Sequence, residues 1–155
     1  MNISLLTRED IPSLERIEKQ SFSTPWGEKF FLEELENKNS VFFIARSGRE
    51  VLGYAGMSNI LGEGFISRVA VDESARKRGV ATALFEALDD YAFKNDMSYI
   101  TLEVRAGNSA AISLYEKSGY KRFGLRKRFY TNPVEDALIY TKYYTEGSKY
   151  EDIGN

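Results

Sequence analysis

Arg68-Val69-Ala70-Val71-Asp72-Glu73-Ser74-Ala75-Arg76-Lys77-Arg78-Gly79-Val80-Ala81-Thr82-Ala83-Leu84 is the stretch from which the fold can be read. Four residues of strand character (69–71 with Arg68 ahead of them) lead into a polar turn rich in Arg and Lys. A helix then opens on Gly79. The first turn of a helix has backbone N–H groups without helical partners and carries partial positive charge, so this arrangement suits a phosphate-bearing ligand. Gly79 and Ala81 remove side-chain bulk where a pyrophosphate would approach the backbone, and Arg76, Lys77 and Arg78 supply countercharge. The pattern Arg/Gln-x-x-Gly-x-Gly/Ala is short and weak by itself; its position after an apolar strand and at a helix start gives it weight.

Around this stretch the chain reads as alternating short elements. Residues 2–6 form a strand, and Thr7-Arg8-Glu9-Asp10 resembles a capping box ahead of a helix with Ile11, Leu14, Ile17 and Glu18 on its period, ending near Ser21. Pro25 makes residues 22–27 a loop, and a second helix carries Phe30, Phe31 and Leu35. Residues 41–46 and 51–59 form a hairpin, Gly62-Glu63-Gly64 the next turn, and 65–71 the next strand. After the helix from about Gly79 to Lys94, residues 99–104 alternate, with Ile100, Leu102 and Val104 on one face and Tyr99, Thr101 and Glu103 on the other. Asn108 caps a helix reaching Lys117, and Gly119 stops it in the left-handed conformation. Residues 120–130 and 137–144 pair across the 131–135 loop. Residues 1–145 are expected to form a single-domain α/β fold, a mixed central sheet flanked by helices. Residues 146–155 are expected to be a polar, flexible tail.

Composition narrows the chemistry. The 155 residues contain no cysteine and no histidine. Disulfides, thiolate nucleophiles, Cys/His zinc sites and Ser-His-Asp triads are therefore excluded, and any acid–base groups must be Asp, Glu, Lys or Tyr. No metal is expected. A net charge of -2 gives no case for nucleic-acid binding. No run approaches a membrane span and residues 1–6 carry no signal-peptide pattern, so a cytoplasmic protein without membrane association is expected.

Two further groups stand out. Asn108 and Tyr115 are seven residues apart, which returns them to one helical stripe with the small Ala111 and with Ile112. That stripe could receive a slender ligand, or it could simply be an N-cap and a core tyrosine. Glu103 lies near the end of a strand expected to be central, where a buried carboxylate needs a reason. Ligands of α/β folds collect at such carboxyl ends, although a rim salt bridge would place a glutamate there too.

Val69-Ala70-Val71-Asp72 with Arg76-Lys77-Arg78-Gly79-Val80-Ala81 resembles the acetyl-CoA motif of the GCN5-related N-acetyltransferases (GNAT family). The block from Leu102-Glu103-Val104-Arg105 through Asn108 and Tyr115 to Gly119-Tyr120 is similar to the RimI branch, which acetylates ribosomal-protein N-terminal alanines. Pro25-Trp26 and residues 126–139 resemble that branch as well. The resemblance implies acetyl-CoA as donor substrate, bound by the backbone of Val69, Ala70 and Val71, by Arg76, Lys77, Arg78, Gly79, Val80, Ala81 and Thr82, and by Asn108. It implies Glu103 as general base and Tyr115 as general acid. The acceptor, the N-terminal alanine of a small-subunit ribosomal protein, would meet Trp26, Tyr130, Glu135 and Asp136. Trp26 and Tyr130 have an alternative reading as core aromatics, and Glu135 and Asp136 as loop carboxylates. With no cysteine, direct transfer in a ternary complex is favoured over an acyl-enzyme. An acetyltransferase of lysine side chains or small amines, or a non-catalytic acyl-CoA-binding domain, is the alternative.

Overall fold

The structure, a computed structural model, describes residues 1–145; the expected tail at 146–155 lies outside them. Its elements are β1 (Asn2–Leu5), α1 (Ile11–Ser21), α2 (Glu28–Glu36), β2 (Ser40–Ser47), β3 (Glu50–Ile60), β4 (Glu63–Val71), α3 (Val80–Lys94), β5 (Tyr99–Arg105), α4 (Ser109–Lys117), β6 (Lys121–Tyr130) and β7 (Glu135–Tyr143). Single 3₁₀ turns occupy Arg8–Asp10 and Glu73–Ala75. The strands form one seven-stranded mixed sheet in the order β1-β2-β3-β4-β5-β7-β6. This is the α/β architecture that the alternation of elements implied. Within it the chain divides into two compact units, Met1–Asn59 with Ser67–Asp90, and Ile60–Ile66 with the residues from Tyr91 on.

The first unit is built on the antiparallel ladder β1-β2-β3, with a register shift at Ala45/Arg46. Helix α1 starts where expected. The Asp10 carboxylate accepts from the Thr7 backbone N–H at 2.9 Å and from its hydroxyl at 3.0 Å, and it also pairs with Arg46. Burial pushes the Asp10 carboxyl up, but Arg46 and the two Thr7 donors outweigh it and hold the group below its usual range. Leu14, Ile17, Phe31, Ile44 and Tyr54 are fully buried. Phe31 meets Phe42 and Tyr54 edge-on, each at 6.1 Å.

Glu18 shares that interior with no solvent exposure at all. The Tyr54 hydroxyl and the Arg68 guanidinium donate to its carboxylate, and the Trp26 backbone N–H does so at 2.7 Å. The same guanidinium lies over Phe22 (4.0 Å) and Trp26 (3.9 Å) and donates to the Thr24 carbonyl at 3.3 Å. Burial, and then the bond to Glu18, drive the Tyr54 phenol far upward. One buried charge thus ties α1 to β3, to β4 and to the 22–27 loop.

In the second unit the first residues of β4 run parallel to β5, pairing Glu63 with Tyr99, Gly64 with Ile100 and Phe65 with Thr101. Strand β5 pairs antiparallel with β7 along its whole length, and β7 pairs in turn with β6. The alternation of β5 is as expected, with Ile100, Leu102 and Val104 buried and Thr101, Glu103 and Arg105 partly exposed. One turn differs from the expectation. β4 already begins at Glu63, and the reversal is made by Leu61 (φ 54) and Gly62 (φ 86). Two successive left-handed residues make a turn whose twist matches that of the flanking strands, whereas a leucine gives no composition cue for it. Among the described residues no helix is long and apolar enough to cross a membrane.

Removing one partner of a buried ion pair costs about 3–5 kcal/mol, because the other is left charged and dry. Glu18→Ala is therefore expected to lower unfolding free energy by roughly 3 kcal/mol or more in urea titration. A loss under about 1 kcal/mol would show that the network carries little of the stability.

Candidate active site

In the first unit the segment from β4 to α3 is held by its own side chains. The Asp72 carboxylate accepts from the Ser74 N–H at 2.9 Å and its hydroxyl at 2.8 Å, and it pairs with Arg16. Ala75 is fully buried and anchors the turn, while Arg76, Lys77, Arg78 and Gly79 are exposed. Arg76 Nε donates to the Val71 carbonyl at 3.3 Å, and Arg78 Nη1 to the Ser74 carbonyl at 3.4 Å. Lys77 (φ 62) and Gly79 (φ 79) are both left-handed. Left-handed residues interleaved with ordinary ones turn N–H groups into an anion-binding concavity. The first helical bond of α3 runs from Ala83 N–H to the Gly79 carbonyl at 3.0 Å, so the N–H groups before it have no helical acceptor. A side chain at Gly79 would point into open space, so conformation demands glycine there.

The other coenzyme candidates are placed with less freedom. Val80 and Ala70 are buried and can offer a ligand only backbone groups. Val69, Val71 and Ala81 are partly exposed and Thr82 is exposed. Trp26, also in this unit, stacks on Phe30 at 4.0 Å and under Arg68, with part of its surface open.

The second unit contains Glu103, Asn108, Tyr115, Tyr130, Glu135 and Asp136, of which Glu103, Tyr115, Tyr130 and Glu135 interact electrostatically through Tyr130. Glu103 lies near the end of β5 with its side chain 14% exposed. Its Oε2 is buried and accepts no hydrogen bond from the described residues; Arg126 Nε stands 3.5 Å away. Asn108 caps α4 as expected, its Oδ1 accepting from the Ala111 N–H at 3.2 Å. Tyr115, on the same helix, has its phenol pushed up to about 12, first by burial and then by neighbouring Tyr130. Tyr130 is raised too, by burial and then by the Glu103 and Glu135 charges, with Arg105 opposing. A carboxylate and two phenols are thus in electrostatic contact.

Glu135 and Asp136, expected to be loop carboxylates, are instead the first two residues of β7, and both are already engaged. Glu135 Oε2 accepts from the Gly107 N–H at 2.6 Å and its Oε1 from Arg105 at 3.2 Å. Asp136 Oδ1 accepts from the Arg128 N–H at 2.8 Å. Arg105 itself, to which the sequence reading gave no role, sits over the Tyr130 ring at 4.5 Å. Its position two residues beyond Glu103, on the same face of β5, was a signal that could have singled it out. Arg126 beside Glu103 had no such signal, since β6 shifts register twice against β7.

The turn after β4 in the first unit, and the Glu103 carboxylate and the partly buried Tyr115 phenol in the second, are the groups on which the resemblance to acetyltransferases rests. Residues 11–120 match the family model described as "Acetyltransferase (GNAT) family", and the chain belongs to that family, whose members use acetyl-CoA as acetyl donor. It is 34% identical over 139 residues to the "[Ribosomal protein bS18]-alanine N-acetyltransferase" of Escherichia coli K12, covering 88% of this chain and 93% of that one. It is 36% identical over 144 residues to the "N-alpha-acetyltransferase RimI" of Mycobacterium tuberculosis, covering 88% and 89%. The crystal structure of the Escherichia coli ribosomal-protein-S18-alanine N-acetyltransferase superposes with a TM-score of 0.85 at 32% identity, covering 93% of this chain and 94% of that one.

A phenol raised from 10.0 to about 12 stays protonated wherever the protein is assayed. Since the folded value lies above the unfolded one, its contribution to stability is complete below pH 10 and is lost as pH climbs to about 12. Ultraviolet difference titration of wild type against Tyr115→Phe should show this tyrosine ionising near 12. A difference signal centred at 10 would contradict its burial.

Proposed function

We propose that this chain transfers the acetyl group of acetyl-CoA to the α-amine of a protein N-terminus, an N-terminal alanine of a small-subunit ribosomal protein, by direct attack in a ternary complex. The observation that carries the chemistry is Glu103, whose buried Oε2 accepts no hydrogen bond from the described residues, has Arg126 at 3.5 Å, and raises the Tyr130 phenol, which raises Tyr115 in turn. The acceptor class rests on identity of 34–36% to enzymes so named.

The amine must be uncharged before it attacks. An α-amino group has a reference pKa near 7.7–8.0 against about 10.4 for lysine, so a carboxylate acting through water removes the proton from an N-terminus far more readily. Glu103 takes that role. The new C–N bond forms at the thioester carbon and the C–S bond breaks, leaving the sulfur needing a proton. Tyr115 supplies it as general acid. With its pKa near 12 and an ordinary thiol near 8.5, full proton transfer to the released thiolate would cost roughly 5 kcal/mol. The phenol therefore serves first as a hydrogen-bond donor that stabilises charge as it develops on sulfur. Backbone N–H groups of Val69, Ala70 and Val71 bind the pantetheine arm, and the turn from Arg76 to Thr82 holds the pyrophosphate. Asn108, with its Oδ1 used in the cap, presents its amide nitrogen. On the acceptor side, Trp26 and Tyr130 contribute aromatic surface. Glu135 and Asp136 act by shaping the loop, given that both accept backbone N–H bonds.

An alanine-starting peptide should be acetylated, and the same peptide with its N-terminus blocked and a lysine added should not; the reverse would assign the lysine-directed reading. Glu103→Gln should reduce kcat by about 10²–10⁴-fold at neutral pH, the usual contribution of a general base, and an unchanged rate and pH profile would remove it from that role. Gly79→Glu should abolish calorimetric acetyl-CoA binding while Gly79→Ala weakens it less, since the first adds charge repulsion to backbone strain. Equal affinity in wild type and Gly79→Glu would rule out the phosphate site.

A further inference from the structure

Arg105 is the last residue of β5, and its guanidinium is spread over four partners in the β6–β7 connection and at the two strand ends that flank it. Nη1 donates to the Pro133 carbonyl at 3.0 Å and to Glu135 Oε1 at 3.2 Å, Nη2 donates to the Thr131 carbonyl at 3.1 Å, and the planar group lies 4.5 Å from the centre of the Tyr130 ring. Glu135 passes the connection on, its other oxygen accepting the Gly107 N–H at 2.6 Å one residue before the Asn108 cap of α4. A lysine could not reproduce this, because two carbonyls, a carboxylate and a ring face are met at once by a planar fork of donors. With a side chain 33% exposed, the group is not a core element that the fold requires.

We infer that Arg105 is a positioning residue for the acceptor, acting through Tyr130: it fastens the hairpin connection and sets the Tyr130 ring beside Glu103 and Tyr115. The geometry gives this more weight than a general stabilising role. The hydrogen bonds that the Arg105 guanidinium donates go to residues 131–135, just after Tyr130, and the ring it covers is the one whose phenol is raised by Glu103 and in turn raises Tyr115. Strand β5 thereby carries the proposed base at position 103 and, two residues on along the same face, the group that places the aromatic wall beside it. The inference rests on the α-amine acetyltransferase reading above.

The test is a double-mutant cycle on kcat/KM for an alanine-starting peptide, with acetyl-CoA affinity followed by calorimetry. Arg105→Ala should cut peptide kcat/KM at least tenfold, chiefly through KM, while the acetyl-CoA Kd stays within twofold. In a Tyr130→Ala background the same substitution should change peptide kcat/KM less than twofold, because the residue it acts through is gone. Arg105→Lys, which keeps a cation near the ring, should lose an intermediate amount and carries the same comparison if the alanine variant does not fold. Equal losses in both backgrounds, or a matching loss of acetyl-CoA affinity, would overturn the inference and leave Arg105 a structural residue. A wild-type chain inactive on the peptide would instead overturn the α-amine reading, and this inference with it. That result is distinct from an active wild type whose Arg105 variants lose nothing.

Discussion

A carboxylate held at zero solvent exposure is the constraint on which the first unit depends. Taking such a group out of water costs several kcal/mol even after relaxation, and it persists only when its lone pairs are filled. Around Glu18 they are filled by a phenol, a guanidinium and a backbone N–H from three parts of the chain far apart in sequence. Once that is required, much else follows. Arg68 must reach inward from β4, which places its guanidinium over the aromatic rings of both Phe22 and Trp26. The loop containing Pro25 is then fixed by charge at its base and by stacking at its side. The strand that supplies Arg68 continues directly into Val69, Ala70 and Val71, so the proposed coenzyme-binding backbone is aligned by the same bonds.

The second unit uses charge differently. Its carboxylates fall into two kinds. Glu135 and Asp136 each accept a backbone N–H and so maintain the shape of the hairpin connection. Glu103 has an oxygen that no described residue donates to, and its nearest cation, on the half-exposed Arg126, stands at 3.5 Å. Tyr130 reinforces the distinction, because a phenol raised by burial and by the Glu103 charge remains a neutral donor near it. The proposed acid–base pair, made without histidine, would rest on this division between carboxylates that accept backbone N–H bonds and one that does not.

Much of this was legible in the sequence. The strand–helix order could be followed because β5 alternates cleanly and because α1 places Ile11, Leu14 and Ile17 on one stripe. The capping of α4 by Asn108 was local chemistry, complete within four residues. Other features were hidden for a physical reason. Leu61 gives no hint of a left-handed turn, and its conformation is imposed by the strands on both sides. Glu18 was visible as a misplaced charge on an apolar stripe, yet its partners Tyr54 and Arg68 are 36 and 50 residues away. The contacts of Arg105 span 26–30 residues, and no local pattern announces them. Periodicity reveals which face a residue takes, while polar networks depend on which faces later meet.

The outermost strands have a consequence of their own. At one border of the sheet β1 is only four residues long. At the other, β6 runs ten residues with Lys121, Arg122, Arg126, Lys127 and Arg128 all exposed and no acidic residue among them. Phe123, Leu125 and Phe129 on that strand are also open to water, and an uncharged border of such length and composition would invite a neighbouring chain to add itself to the sheet. Five like charges along the strand make the approach of an identical border repulsive, and the brevity of β1 leaves little backbone for a neighbour to pair with at the other border.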